Sequence, residues 1–291
     1  MIYSNKEVNF ETSPFFREPK YDKPIVEEQC IFIDIETVPA YSSYKEMPVN
    51  LQKRWSEKVD KWIKYSDNSK SKILDAVFTE FENNEGTVFD QNLLFEIYKK
   101  NQKSTASEQY LNISSLYPEY AKTLCITISF FKDGEMQFVT FIGDEYELLS
   151  NFQFGIQKVH ERLLKKFSEI WVVGHNISFF DIPFLSKRMS INGLRVPSFL
   201  HQAFQQPWNK KIIDTAIEWR VGNTTGDATL ETLCEVLNIS NPKMGEINGE
   251  NLAKYYYSKG FDINKVVEYC EADVKAQYLL FNHLQNLKKA I

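Results

Sequence analysis

The chain has 291 residues, 43% of them hydrophobic and 25% charged, and its 34 Lys and Arg against 39 Asp and Glu give a formal charge of −5. That is ordinary globular composition, and at this length folding buries about 75% of the surface an unfolded chain exposes, so a disulfide-stapled miniprotein is excluded. The longest apolar runs, such as Ile170-Trp171-Val172-Val173, fall far short of the roughly 20 residues that a membrane span needs.

In chain order, Gln29 to Thr37 (QCIFIDIET) is a β-branched and aromatic run ending in two acids, which predicts a buried strand. From about 40 to 120 the composition shifts toward Lys, Asn, Ser, Glu and Gln, with helical patches at Val49–Tyr65 and Asn92–Lys100, and predicts a helical insertion. Leu124–Phe131 and Met136–Ile142 flank Lys132-Asp133-Gly134-Glu135, a hairpin with an Asp-Gly turn. Phe152, Ile156, Val159, Leu163 and Phe167 recur at helical spacing ahead of a strand at Ile170–Val173. A turn at Gly174–Asn176, a helix from Asp181 to Ile191, a short apolar run at Lys211–Asp214 and helices alone from Ala228 onward complete the pattern. Strands followed by alternating strands and helices imply a mixed sheet covered by helices.

The N-terminus lacks the basic start and apolar centre of a secretory signal, so a cytoplasmic protein is expected. Cys30, Cys125, Cys234 and Cys270 lie far apart in apolar runs, as buried thiols do, and form no CxxC pair. The negative net charge argues softly against a polyanionic partner.

Three constellations carry chemistry. Asp34 and Glu36 at the end of the first strand project to one side, where open α/β sheets place ligands, and like charges held that close call for a cation. Alone, the pair is as readily two solvated acids. Gly174-His-Asn-Ile-Ser-Phe-Phe-Asp181-Ile-Pro183 puts Asp181 at a helix start, where it could be an N-cap and nothing more. Tyr269 and Asp273, four apart on a helix, share a face, an arrangement equally common for a tyrosine beside a solvated acid on a surface.

Together and in this order they resemble the DEDD superfamily of 3′–5′ exonucleases, whose fold is RNase H-like. DxE is met by Asp34 and Glu36, the NxxxxD run by Asn176 and Asp181, and YxxxD by Tyr269 and Asp273. Because Glu268 stands where the histidine subtype has His, the match is to the tyrosine subtype. Pro39, Phe180-Asp-Ile-Pro-Phe-Leu185 and Tyr269-Cys270 look like the proofreading domains of family-B DNA polymerases. Ser115-Leu-Tyr-Pro-Glu119, Leu230-Glu-Thr-Leu-Cys234, Asn241-Pro-Lys243 and Tyr269-Cys-Glu-Ala-Asp-Val274 look like a bacterial group of stand-alone exonucleases related to them. The likeness runs from about 29 to 285. It implies a single RNase H-like domain over 1–291, with a five- to six-stranded mixed sheet flanked by helices and an insertion at 40–120.

The resemblance also implies a two-ion site for Mg²⁺ or Mn²⁺, hard cations suited to oxygen ligands. Asp34 would bridge both ions, Glu36 and Asp273 would complete one site, Asp181 would hold the second, and Tyr269 would position the attacking water. Two divalent ions would cancel four negative charges and leave about −1, which weakens the objection to a polyanion. Candidate substrate contacts are Ile35, Thr37, Asn176, Phe180 and Lys187. Further basic groups are Arg188, Arg195, Lys210, Lys211 and Lys243, and candidate stacking surfaces are Phe179-Phe180 and Tyr255-Tyr256-Tyr257, although aromatic runs are more often core. Asp214 reads as a cap or supporting residue, His175 as structural or a mild substrate contact, and Glu268 and Glu271 as solvated.

The expected activity is removal of nucleoside 5′-monophosphates from single-stranded 3′ ends, with DNA preferred over RNA. An exoribonuclease and a catalytically silent nucleic-acid-binding module are the alternatives. The length leaves no room for a polymerase, so a polymerase or repair partner would act in trans.

Overall fold

Strand β1 (Cys30–Pro39) is buried along nearly its whole length, and its side chains divide between two cores by the two-residue period of a strand. Ile31, Ile33 and Ile35 enter one hydrophobic cluster, while Cys30 and Phe32 enter another on the opposite face. Such a strand belongs at the centre of a sheet covered on both sides.

The structure, a computed structural model, describes residues 25–65, 105–200, 211–223, 228–239, 247–249 and 251–289. Among them β1, β2 (Ala121–Lys132), β3 (Glu135–Phe141), β4 (Trp171–Gly174) and β5 (Ile212–Asp214) form one sheet in the order β3-β2-β1-β4-β5. The β1/β2 and β2/β3 pairs are antiparallel, and the β1/β4 and β4/β5 pairs are parallel. This five-stranded mixed sheet flanked by helices is an RNase H-like fold. The β2–β3 hairpin closes through Asp133 and Gly134, both at positive φ (56° and 83°), the backbone that an Asp-Gly turn supplies.

The helices are α1 (Val49–Tyr65), α2 (105–113), α3 (Glu145–Leu164), α4 (Asp181–Ile191), α5 (Thr215–Arg220), α6 (Leu230–Val236), α7 (Leu252–Tyr256) and α8 (Ile263–Lys289). Leu148, Phe152 and Ile156 of α3 and Ile182, Phe184 and Leu185 of α4 pack on the Ile31/Ile33/Ile35 face. Val274 and Phe281 of α8 cover the Cys30/Phe32 face, with Phe281 edge-on to Phe32 at 5.6 Å. The middle of β1, which carries Asp34 and Glu36, therefore meets α8.

Within 40–120, the described residues are mainly helical and build a small aromatic core of their own. Trp55 is fully buried, donates its Nε1–H to the Ala106 carbonyl at 2.8 Å and lies 5.0 Å from the Tyr120 ring. Its stems are tied together by the Ala40 N–H to Tyr120 carbonyl bond (2.9 Å). The expected helix at Asn92–Lys100, together with Lys210, Lys243 and the Asn241-Pro242-Lys243 motif, lies outside the described residues. No described helix is long and apolar enough to cross a membrane.

Candidate active site

Asp34 and Glu36 are on the even-numbered side of β1 and so face α8, as two-residue alternation requires. The β1/β2 register shifts between Glu36 and Thr37, where Glu36 pairs with Cys125 and Thr37 with Thr123. This bulge leaves Leu124 without a partner across β1 and twists the strand beside the acids, and pairing resumes as far as Pro39. Asp34 keeps part of its surface open. Gln277 donates Nε2–H to Asp34 Oδ1 at 2.8 Å, and the Cys270 thiol lies 3.5 Å from Oδ2. Ligand atoms of Asp34, Glu36 and Cys270 all lie within 4.8 Å of one another.

The second motif is a turn built around close backbone packing. A Cβ on Gly174 would stand 2.8 Å from Ile177 and 3.1 Å from the Ile33 carbonyl, so only glycine lets β4 end this tightly against β1. Asn176 then adopts φ 59°, a left-handed conformation that Asn tolerates. Asp214, ending β5, accepts the Asn176 N–H (2.9 Å), the Ser178 N–H (2.9 Å) and, as N-cap of α5, the Ala216 N–H (3.1 Å). Asp214 is thus a cap and a brace for the turn.

Asp181 is the first residue of α4, Phe180 being the N-cap without a side-chain cap bond, so capping does not account for this acid. Its carboxyl is buried and pushed up to about 7: burial is the main cause, opposed by the backbone N–H groups of Asp181 and Ile35 and reinforced by Asp214 and Asp273.

On α8, Asp273 is buried and Tyr269 is one turn before it. Burial raises the Tyr269 phenol, as do Glu36, Asp273 and Asp34, so the hydroxyl is protonated at any working pH. Asp34 is raised by burial, then by Asp273, Asp181 and Glu36, with the Cys270 contact pulling the other way. Four carboxyls from β1, α4 and α8 therefore act on one another at the end of the sheet. Such a set is unfavourable when ionised and unneutralised, and its oxygen donors fit a hard divalent cation.

A cavity of about 310 Å³ opens on this cluster, lined by Asp34, His175, Asn176, Leu230, Asp273 and Gln277 among others. His175 forms part of its wall: Nδ1 lies 3.0 Å from Thr215 Oγ1 and Nε2 2.9 Å from the Ala228 carbonyl.

The remaining expected contacts divide. The Ile35 side chain is core, and Thr37 is buried with its hydroxyl donated to the Ser115 carbonyl (2.9 Å). Asn176 is exposed, Lys187 is exposed, and Phe180 is half-buried against the core and Phe184. Phe179 is 62% exposed, with the Arg220 guanidinium 5.5 Å over its ring. Arg188 is not an available basic group: it is buried, ion-paired with Glu145 and bonded to the Pro118 carbonyl. Lys211 pairs with Glu169 at 2.7 Å. Arg195 is exposed.

The tyrosine triplet is structural. Tyr256 takes the Lys122 ammonium at 2.7 Å, Tyr257 donates to the Pro39 carbonyl at 2.7 Å, and Tyr255 accepts the Asp262 N–H at 2.9 Å. Glu268 is exposed, but Glu271 is half-buried and accepts from Thr140 Oγ1 at 2.8 Å, because α8 rolls that face onto β3. Sequence reasoning missed Gln277, although its spacing of four from Asp273 puts both on one helix face.

A family model described as a predicted 3′–5′ exonuclease related to the exonuclease domain of PolB matches residues 119–291. That span includes Asp181, Tyr269 and Asp273 but not Asp34 or Glu36. No curated protein matches. Among solved structures, the family-B DNA polymerase of the hyperthermophilic archaeon Pyrobaculum calidifontis is similar at 16% identity and a TM-score of 0.43. The likeness covers 57% of this chain and 22% of that one.

Proposed function

We propose, from the premise that this chain belongs to the family of predicted 3′–5′ exonucleases related to the PolB exonuclease domain, that it hydrolyses the terminal phosphodiester of single-stranded DNA and releases nucleoside 5′-monophosphates. The observation that carries the reading is the meeting of Asp34, Glu36, Asp181 and Asp273 in one mutually repelling acid cluster beside Tyr269.

Asp34, Glu36, Asp181 and Asp273 would hold two Mg²⁺ or Mn²⁺ ions. When bound, such ions neutralise charge on the phosphate and lower the pKa of a coordinated water. Tyr269 keeps its proton and orients the attacking water by a hydrogen bond, since a phenol raised above its ordinary range is no general base near neutrality. Main-chain groups at Ile35 and Thr37, whose side chains are turned inward, would line the strand's path with Asn176. Lys187 supplies positive charge, and the exposed ring of Phe179 offers a stacking face beside Phe180. We read the chain as one exonuclease domain with an insertion at 40–120. Its four free, buried cysteines suit a reducing compartment such as the cytoplasm.

The test is digestion of matched 3′-labelled single-stranded DNA and RNA oligomers with Mg²⁺, Mn²⁺ or EDTA. Stepwise loss of 5′-monophosphates from DNA, absent in EDTA, is expected. Faster digestion of RNA would reassign the substrate, and no digestion of either would overturn the enzyme reading in favour of a binding module.

A further inference from the structure

Helix α8 reaches Asp34 with more than Asp273. Cys270, Asp273 and Gln277 are at i, i+3 and i+7, one stripe of the helix, and all three are buried on the side of α8 that meets the middle of β1. Gln277 is 1% exposed. Its Nε2–H bonds Asp34 Oδ1 at 2.8 Å while the Cys270 thiol meets Oδ2 at 3.5 Å, so both oxygens of this carboxylate are contacted from α8. The other end of the same amide is unusual: Gln277 Oε1 is buried and has no hydrogen-bond partner among the described residues. The residue also lines the cavity that holds Asp34 and Asp273.

Burying an amide oxygen without a donor is costly, and an apolar residue would fill this position on α8 without that cost. A lysine would also donate to Asp34, but its charge would neutralise the carboxylate and compete with a cation. A glutamine supplies the donor to Asp34 without a charge, and the stranded acceptor is the cost of doing so. We propose that Gln277 is a positioning residue for the cation site: its N–H holds the Asp34 carboxylate in its ligating orientation. This rests on the exonuclease reading and deepens it by assigning a residue that belongs to none of the three acid motifs. Residues that orient metal ligands from behind typically change metal affinity about 10- to 100-fold when removed.

The test compares the wild type with Gln277→Met, which keeps the length and bulk of the side chain and removes both donor and acceptor. Each is titrated with Mn²⁺ alone, counting free ion by electron paramagnetic resonance, then assayed on a single-stranded oligonucleotide. The metal-free variant is expected to melt at or above the wild-type temperature, to bind Mn²⁺ at least about tenfold more weakly, and to lose kcat with KM held within about twofold. Mn²⁺ affinity and kcat both within about twofold of wild type would overturn the proposal. Should Gln277→Met not fold, Gln277→Leu is judged by the same thresholds. If both proteins bind Mn²⁺, the variant more weakly, but neither degrades nucleic acid, the exonuclease reading fails and the positioning of Asp34 stands. If the wild type binds no Mn²⁺, both fall.

Discussion

Asp214 Oδ1 accepts the Asn176 backbone N–H at 2.9 Å, so an acid outside the four-carboxylate cluster holds the turn that delivers Asp181. Its other oxygen takes the Ser178 N–H at 2.9 Å, and Oδ1 also caps α5 through Ala216. Asp214→Ala removes an N-cap and leaves three backbone donors, the Ala216 N–H among them buried, without that acceptor, for an expected loss of about 2 kcal/mol. Urea denaturation measures this as a lower midpoint at unchanged slope. A loss below about 0.5 kcal/mol, typical of an uninvolved surface site, would show that the turn holds itself.

Adjacent residues on α4 should behave in opposite ways. Arg188→Met removes the ion partner of the half-buried Glu145, which keeps only the Thr123 N–H and the Asn192 amide, and should cost about 3 kcal/mol, with KM for an oligonucleotide unchanged. Lys187→Ala should leave stability within about 0.5 kcal/mol while raising KM and flattening its salt dependence by about one phosphate contact. An increase in KM on replacing Arg188, with the fold intact, would restore it as a substrate contact.

Tyr269→Phe deletes a hydroxyl that stays protonated and leaves the acids in place. Hydrolysis should slow by about 10- to 100-fold without stopping, and the pH–rate profile should keep its shape, since no titrating group is lost. An unchanged rate would remove Tyr269 from the mechanism.

The acid cluster makes the metal-free protein pH-sensitive in a defined direction. Asp181 is raised to about 7 and Asp34 is raised as well, so the folded state holds these protons more tightly than the unfolded chain. Their stability contribution is full below the ordinary carboxylate pKa of about 4 and is lost as pH rises through about 7. Metal-free protein should therefore melt higher at pH 6 than at pH 8. In Asp181→Asn the difference should shrink, and Mn²⁺ should stabilise the wild type more at pH 8. An identical pH slope in wild type and variant would exclude the cluster as its source.

Asp34→Asn or Asp273→Asn should abolish divalent-dependent degradation, and in the metal-free state each should melt no lower than wild type, because a repelling carboxylate is removed. Digestion assays and thermal melts on the same preparations check both. Near-wild-type rates would dismiss the site assignment.

Local periodicity made much of this legible. Two-residue alternation put Asp34 and Glu36 on one side of β1, the four-residue spacing put Tyr269 and Asp273 on one face of α8, and Asp133-Gly134 announced the hairpin. The acids of the last two motifs lie within the matched family span, whereas Asp34 and Glu36 precede it, and folding brings them to the same sheet end.

What the sequence by itself determined is each element's period and the acids it carries. Only the tertiary structure decided what covers each face: that Arg188 is locked to Glu145 while Lys187 is exposed, that Phe179 is exposed and Phe180 is half-buried, that Glu271 bonds Thr140, and that Gln277 reaches Asp34. The reason is physical. Spacing along a chain sets the direction of a side chain relative to its own backbone, but its solvent exposure and partners come from segments tens to hundreds of residues away.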